Sequence, residues 1–392
     1  MKKAVTSEKL PILTWADELD DDAMAQAKNL ANLPFAFHHI ALMADAHVGY
    51  GMPIGGVLAT QGAVIPNGVG VDIGCGMHAV RTDLHELSRE QLKNILGTIR
   101  QRIPLGFKHH RRPKAQDLMP EFAGRSFEED LPVVRAEFDS ARRQLGTLGG
   151  GNHFIEIQQG SDGYIWLMVH SGSRNLGYQV AGEYNKLAIR MADKGGNRIV
   201  PAKWQLDFLL IDSAEGRRYL REMTYCVEFA QANRREMMRV IQEVVANESA
   251  CSEFSQALDV AHNYAAMEQH FGRTVCVHRK GAIRAGDGEQ CIIPGSQGSS
   301  SYIVRGLGNP DAFSSCSHGA GRVMGRKEAQ RSLDLAEELR KLEQRNVLHS
   351  IRGRKDLDEA PGAYKDISRV MANQRDLIEI EVELQPLAVV KG

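Results

Sequence analysis

Residues 152–174 read NHFIEIQQGSDGYIWLMVHSGSR. Two runs rich in apolar, β-branched and aromatic residues, 153–158 and 164–169, flank a Gly-Ser-Asp-Gly turn, a short-range signature of a β-hairpin. With Ser161 and Asp162 as the turn tip, His153 pairs with His170. The two imidazoles then share one face of the hairpin, with Cα atoms roughly 4.5–5.5 Å apart. Imidazoles that close can share a metal ion or hold two neighbouring ones. A turn with an odd number of residues breaks this register.

Outward from the hairpin, the segment GVDIGCG places Asp72 and Cys75 three residues apart, in a loop that Gly74 and Gly76 leave free to fold tightly. Carboxylate, thiolate and imidazole together make a transition-metal ligand set. Either residue alone is more often a turn former or a small buried thiol, so the combination with the paired histidines carries the metal reading. His262, in DVAHNYA, completes the set, although a lone His before Asn is more often a cap or a core group. On ligand chemistry alone, thiolate and imidazole suit zinc.

The chain has 392 residues and is 43% hydrophobic, enough for a large core, and its length allows two or three domains. Its 48 Lys and Arg against 49 Asp and Glu leave a net charge of -1, so any nucleic-acid surface is local. MKKAVTSEKLPILTW has no apolar run after its lysines, and no stretch of 18 apolar residues occurs. This reads as a soluble, cytoplasmic protein with no membrane partner. The six cysteines show no paired spacing, which argues against a disulfide framework; five read as buried hydrophobes and Cys75 as the exception.

Glycine-rich segments recur from residue 49 to residue 325, separated by helical patterns. If they form one site, the chain returns to it repeatedly, which favours a single large domain. Helical patterns cover 16–32, 87–99, 175–194, 216–249, 326–345 and 366–375, and further strand-like runs cover 274–278, 291–293 and 377–390. The stretch between the first helix and residue 82 reads as loops and short strands. The segment 104–131 is polar and irregular, with a basic cluster of Lys108, Arg111, Arg112 and Lys114 that either tracks a nucleic-acid backbone or is solvated loop. The stretch near 203–250 carries none of the glycine motifs and reads as a peripheral helical hairpin.

In order, ADAHVGYGMPIGG, GVGVDIGCG, GGGNHFIE, HSGSRNLG, AHNYA, HRKGAIRA, PGSQGSSSY and SCSHGAGR resemble the RtcB family of RNA ligases, from about residue 33 to Gly392. The resemblance implies an α+β fold, one RtcB-type domain over residues 1–392 with packed β-sheets flanked by helices. It implies two manganese ions (Mn2+) held by Asp72, Cys75, His153, His170 and His262, with the cysteine bridging both. It also implies a GTP site. There Glu156 and Lys391 face the guanine, and Asn152, Phe154, Asn263, Ser296, Ser301, Gly319, Ala320 and Gly321 surround the ribose and phosphates.

The implied nucleophile is His318, which becomes guanylylated, and Asp45 orients it. Arg174 in HSGSR, Lys280 in HRKG and Arg322 in HGAGR sit beside the implied metal or nucleotide groups, where cations can neutralise the RNA terminal phosphate. The implied reaction joins an RNA 3′-phosphate or 2′,3′-cyclic phosphate end to a 5′-hydroxyl end through an RNA-3′-pp-5′-G intermediate. Its implied partners are tRNA halves or damaged RNA, and an archease-type activator. Without the resemblance, His318 in its glycine turn, Glu156 on a strand and Lys391 at the terminus each read as structural or solvated. Two other classes fit the ligand set: a dinuclear phosphoesterase or nuclease, and an RNA-end sensor without turnover. Covalent guanylylation separates the first from a ligase, and RNA binding without turnover in the presence of GTP and manganese marks the second.

Overall fold

The two strands of the hairpin, Phe154–Gly160 and Ile165–Ser171, are buried on both faces. That is why their apolar runs are nearly continuous instead of alternating. In the computed structural model, which describes residues 1–121, 127, 129–194 and 198–392, they are neighbours in a seven-stranded sheet. The ladder pairs Phe154 with His170 and Gln159 with Ile165, one residue away from the register expected of a two-residue turn. The tip has three residues, Ser161-Asp162-Gly163, closed by Gly160 N donating to Tyr164 O at 2.8 Å. Gly163 has φ +85°, where a side chain is strained. The expected pairing of His153 with His170 is therefore corrected: His153 lies just before the first ladder residue, outside the strand.

The seven-stranded sheet runs in the order Phe254–Ala261, Gly76–Thr82, Ile165–Ser171, Phe154–Gly160, Ile378–Lys391, Ser301–Gly306, Gln290–Ile293. A six-stranded sheet runs Lys3–Val5, Ile12–Thr14, Ala36–Tyr50, Met52–Thr60, Arg273–Lys280, Asn263–His270. The sheets face each other across one apolar layer. Ala41, Met43, Val57 and Val277 of the six-stranded sheet are buried with Met77, Phe154, Trp166 and Met168 of the other. Strand alternation sends Ile155, Ile157, Leu167 and Val169 to the opposite face, under the helix Arg89–Arg102 and part of the helix Ala214–Glu248. The helix Asp21–Ala31 covers the outer face of the six-stranded sheet through Ala27, Leu30 and Ala31. This is the expected α+β arrangement of packed sheets flanked by helices. Glu156 and His170 share the inter-sheet face with Phe154, Trp166 and Met168, which carries their side chains to the end of that layer.

The expected peripheral hairpin near 203–250 is corrected. Residues 202–213 form a one-turn 3-10 helix and a two-residue strand paired with Ala63–Val64. The remainder is one 35-residue helix, Ala214–Glu248. Ser213 caps it through Gly216 N at 3.0 Å, and no Gly or Pro follows Gly216 to break it. It is central, because Tyr219, Phe229 and Arg234 are fully buried. The helical pattern at 326–345 splits into Arg326–Ser332 and Leu335–Gln344, because the Asp334 side chain caps Glu337 N at 2.8 Å and starts a second helix. Part of the expected irregular stretch 104–131, residues 122–126 and 128, lies outside the described residues. No helix among the described residues is long and apolar enough to cross a membrane.

Candidate active site

Cys75 sits where two groups of metal-ligating side chains meet. Asp72, Cys75 and His153 form one, and Cys75, His170 and His262 the other, with the ligand atoms of each group within 4.8 Å of one another. Cys75 Sγ is 3.4 Å from His153 Nε2 and 3.3 Å from His170 Nε2. Each of these histidines donates its Nδ1–H to a main-chain carbonyl, His153 to Leu148 at 2.9 Å and His170 to Asn152 at 3.2 Å. Those bonds fix the tautomer and leave the Nε2 lone pairs aimed at the sulfur. His153 Nε2 also faces Asp72 Oδ2 at 3.0 Å. Buried His262 Nδ1 has no hydrogen-bond partner among the described residues.

Lone pairs that converge on each other in a buried site suit a cation, and this donor set fits divalent transition metals. Burial and the Asp72 charge push the Cys75 thiol well above its ordinary value, and burial pushes His170 and His262 well below theirs. Burial also opposes the ionisation of Asp72, but its neighbours His153, Cys75 and Arg174 together hold that carboxyl below its usual range. A metal would offset the cost of ionising the thiol. The floor of the site is the fully buried Arg234. It donates to the carbonyls of Gly74 and Ser171, both at 2.9 Å, and pairs with Asp259.

Next to this cluster, the His318 ring lies 4.8 Å from that of His262. Asp45 is fully buried, and its Oδ2 accepts from His318 Nδ1 at 2.6 Å, His318 N at 3.1 Å and Gly319 N at 3.2 Å. Burial alone would raise the Asp45 pKa; His318, with His47 and Lys365, more than offsets it, and the carboxyl lies below its ordinary value. The His318 Nδ1–H is thus held by Asp45, which leaves Nε2 as the ring's free lone pair.

His318 stands on the wall of a cleft of about 910 Å3 that Asn152, Phe154, Glu156, Ser296, Gly319 and Lys391 also line. That is the volume expected of a site for a nucleotide-sized ligand. Burial raises the Glu156 pKa to about 8. Lys391 Nζ pairs with Glu359 Oε2 at 3.1 Å.

The profile described as "tRNA-splicing ligase RtcB" matches residues 26–392. The chain belongs to the RtcB family. It is 36% identical to the RNA-splicing ligase RtcB of Escherichia coli K12, over 99% of both chains. It is 32% identical to the tRNA-splicing ligase RtcB of Thermococcus kodakarensis, over 95% of this chain and 91% of that one. It is likewise 32% identical to the RNA-splicing ligase RtcB of Mycobacterium bovis, over 94% of this chain and all of that one.

Of the residues expected from the RtcB resemblance, all five metal candidates and the pair His318 and Asp45 come together. Ala320 and Gly321 line the same cleft. Arg174 also belongs here. Its guanidinium feels Asp72 and Cys75, and it donates to Thr147 Oγ1 at 3.2 Å and Gly106 O at 3.1 Å. A Cβ at Gly149 would lie 2.0 Å from Arg174 Nη1, so only glycine leaves it room.

Four other expected residues have protein partners in the structure. Lys280 is buried: its ammonium donates to Tyr50 O at 2.6 Å and Asn67 O at 3.0 Å, and burial brings its pKa down to about 7. Asn263 does not line the cleft; it holds the Asp72 loop, donating to Asp72 O at 3.0 Å and accepting from Gly281 N at 2.8 Å. Ser301 is buried behind the cleft wall, bonded to Gln158 at 3.0 Å and Gly295 N at 3.1 Å. Arg322 lines the cleft, but its guanidinium is engaged by Glu359 at 3.2 Å and by the Asp358 carbonyl at 2.6 Å.

Glu359 is the residue that sequence reasoning missed. It collects Lys391, Arg322, Arg326 and the Tyr364 hydroxyl. Burial opposes its ionisation, yet Lys391 and the others hold its pKa at about 2. It lies in the polar run RKDLDEAPG, where nothing in the residue pattern separates it from its solvated neighbours.

Proposed function

We propose that this chain joins an RNA 3′-phosphate or 2′,3′-cyclic phosphate end to a 5′-hydroxyl end, using GTP and manganese. The observation that carries the reading is the Asp45–His318 pair, set between a nucleotide-sized cleft and two groups of metal ligands that share Cys75. Asp72, Cys75, His153, His170 and His262 would hold two Mn2+ ions, which when bound supply positive charge to phosphate oxygens.

His318 does the covalent work. Its Nε2 attacks the α-phosphorus of GTP, an N–P bond forms, and the bond to the leaving pyrophosphate breaks. Asp45 keeps the Nδ1 proton in place and stabilises the imidazolium character that grows on the ring during attack. The guanylyl group then passes from His318 to the RNA 3′-phosphate, and the 5′-hydroxyl displaces GMP from that activated end. Glu156 accepts from the guanine N1–H and 2-amino groups, a pattern adenine does not offer. Lys391 lies beside it as the donor for O6, held by Glu359. Arg174 is the cation placed to meet the RNA phosphate at the metal ligands.

Ligands from residue 72 to residue 262 and cleft residues as late as Lys391 support one domain acting as a unit. Six free cysteines, all buried, suit a reducing cytoplasm. The test is incubation with manganese, α-labelled GTP and a nicked RNA such as tRNA halves, with and without an archease. Labelled protein and sealed RNA are expected; RNA cleavage without labelling would indicate a nuclease instead.

A further inference from the structure

Phe107 is the most exposed large hydrophobic side chain among the described residues, at 98%. Leaving an aromatic ring in water is unfavourable, and here the backbone enforces it. Leu105 bridges to Gly149, Gly106 N donates to Gly149 O at 3.1 Å, and Lys108 N donates to Leu105 O at 3.2 Å. These bonds close a turn around Phe107. Further along, His110 N and Lys114 N donate to the carbonyls of Arg143 and Arg142 at 2.9 and 3.0 Å.

The turn stands beside the site. Gly106 O accepts from Arg174 at 3.1 Å, the guanidinium that feels Asp72 and Cys75. On its other side, a Cβ at Gly106 would lie 3.7 Å from the carbonyl carbon of Gly392, the residue after Lys391 of the nucleotide cleft. Lys108, Arg111 and Arg112, which follow Phe107 in the same loop, are exposed, with no carboxylate in ion-pair contact among the described residues. Lys114 differs, because Glu236 holds its ammonium at 2.9 Å.

We propose that Phe107 is a stacking platform for an unpaired nucleobase of the RNA, with Lys108, Arg111 and Arg112 against the neighbouring phosphates. The proposal rests on the RNA-joining function above. Aromatic rings interleaved with cations are the chemistry of single-strand binding, and stacking tolerates any base. That suits an enzyme that recognises ends instead of sequences. A protein partner would call for a contiguous apolar patch; this is a single ring among positive charges.

The test uses single-stranded RNAs ending in 5′-hydroxyl or 3′-phosphate, carrying 2-aminopurine near that end, titrated with the full-length protein at several salt concentrations. Binding to the wild type is expected to quench the 2-aminopurine. Phe107→Ala is expected to weaken at least one of the two RNAs by about 5- to 150-fold and to lose the quench. Phe107→Trp restores both and Phe107→Leu does not. Joint replacement of Lys108, Arg111 and Arg112 by Ala lowers the salt slope, by roughly 0.7 for each phosphate that is no longer neutralised, whereas Phe107→Ala keeps it. Wild-type affinity and quenching in Phe107→Ala, from a protein that labels with GTP and joins RNA, overturns the platform alone. A wild type that neither labels nor joins overturns the functional reading and the platform with it.

Discussion

Replacing Asp45 with Asn changes one charge in a space that cannot rearrange. Three donors converge on Asp45 Oδ2 within 3.2 Å, and Oδ1 is buried without a partner. If the Asn carbonyl takes the Oδ2 position, the three bonds persist, but the growing positive charge on His318 loses its carboxylate. A charge-assisted bond contributes about 1.5–3 kcal/mol, so guanylylation slows by roughly 10- to 150-fold at 1.36 kcal/mol per decade. If the amide turns the other way, its NH2 meets the three donors. His318 must then carry its proton on Nε2, losing the attacking lone pair, and the loss approaches the roughly 10⁴-fold seen when a catalytic imidazole is held in the wrong tautomer.

The same replacement leaves a buried NH2 without an acceptor, at a cost of about 1–3 kcal/mol, while removing a buried charge. The melting temperature is therefore expected to move only a few degrees. Because the folded-state pKa of Asp45 is depressed, its contribution to stability is complete above its unfolded value of about 3.8 and is lost only as the pH falls through the folded value. An assay near pH 7.5 reads the catalytic effect alone. Quench-flow labelling with α-labelled GTP gives the rate. Asp45→Asn labelling at the wild-type rate refutes this role of the carboxylate.

Cys75→Ala removes the ligand common to both metal groups, so metal analysis is expected to show loss of both manganese ions in a protein with wild-type circular dichroism; two ions still bound would reject the bridging role. With Glu156 raised to about 8 by burial, the free protein carries this proton at pH 7 and guanine binding requires the carboxylate. GTP binding should therefore release up to one proton at pH 7 and tighten as the pH rises toward 8. Calorimetry in buffers of different ionisation enthalpy checks this, and a heat independent of buffer, or ATP binding as tight as GTP, counts against it. Arg234→Ala strands Asp259 and two carbonyls in the interior and is expected to cost about 3–5 kcal/mol of stability; denaturation by urea at the wild-type midpoint would show that the Arg234 contacts do not hold the metal floor.

The cluster of candidate metal ligands was legible because histidine, cysteine and carboxylate in glycine-rich turns are an unusual combination, and the hairpin brings two of them close despite the register error. That error has a local cause. Gly163 accepts a left-handed conformation and adds a residue to the turn, so Phe154 takes the place opposite His170, and His153, free of the ladder, reaches the cluster from the preceding loop. The long helix reads as peripheral because it carries none of the glycine motifs, yet its Glu222, Asn233 and Arg234 are all fully buried. The burial of Lys280 is equally hidden in sequence, because no local pattern reveals its position on a strand between the Tyr50 and Asn67 carbonyls. The strand Ala36–Tyr50, 15 residues long, was hidden by its histidines and its glycine. Contacts distant in sequence decide each of these, and residue periodicity does not encode them.

The central claim is that His318 is the nucleophile, and one comparison tests it most directly. Wild-type protein and His318→Ala are each incubated with manganese and α-labelled GTP, and each is also given an RNA already activated with a 3′-linked GMP. The wild type is expected to carry an acid-labile, phosphoramidate-bound label that maps to His318. His318→Ala should carry none, yet seal the activated RNA, because only the first step needs the imidazole nucleophile. A His318→Ala protein labelled by GTP to the wild-type level would contradict the account.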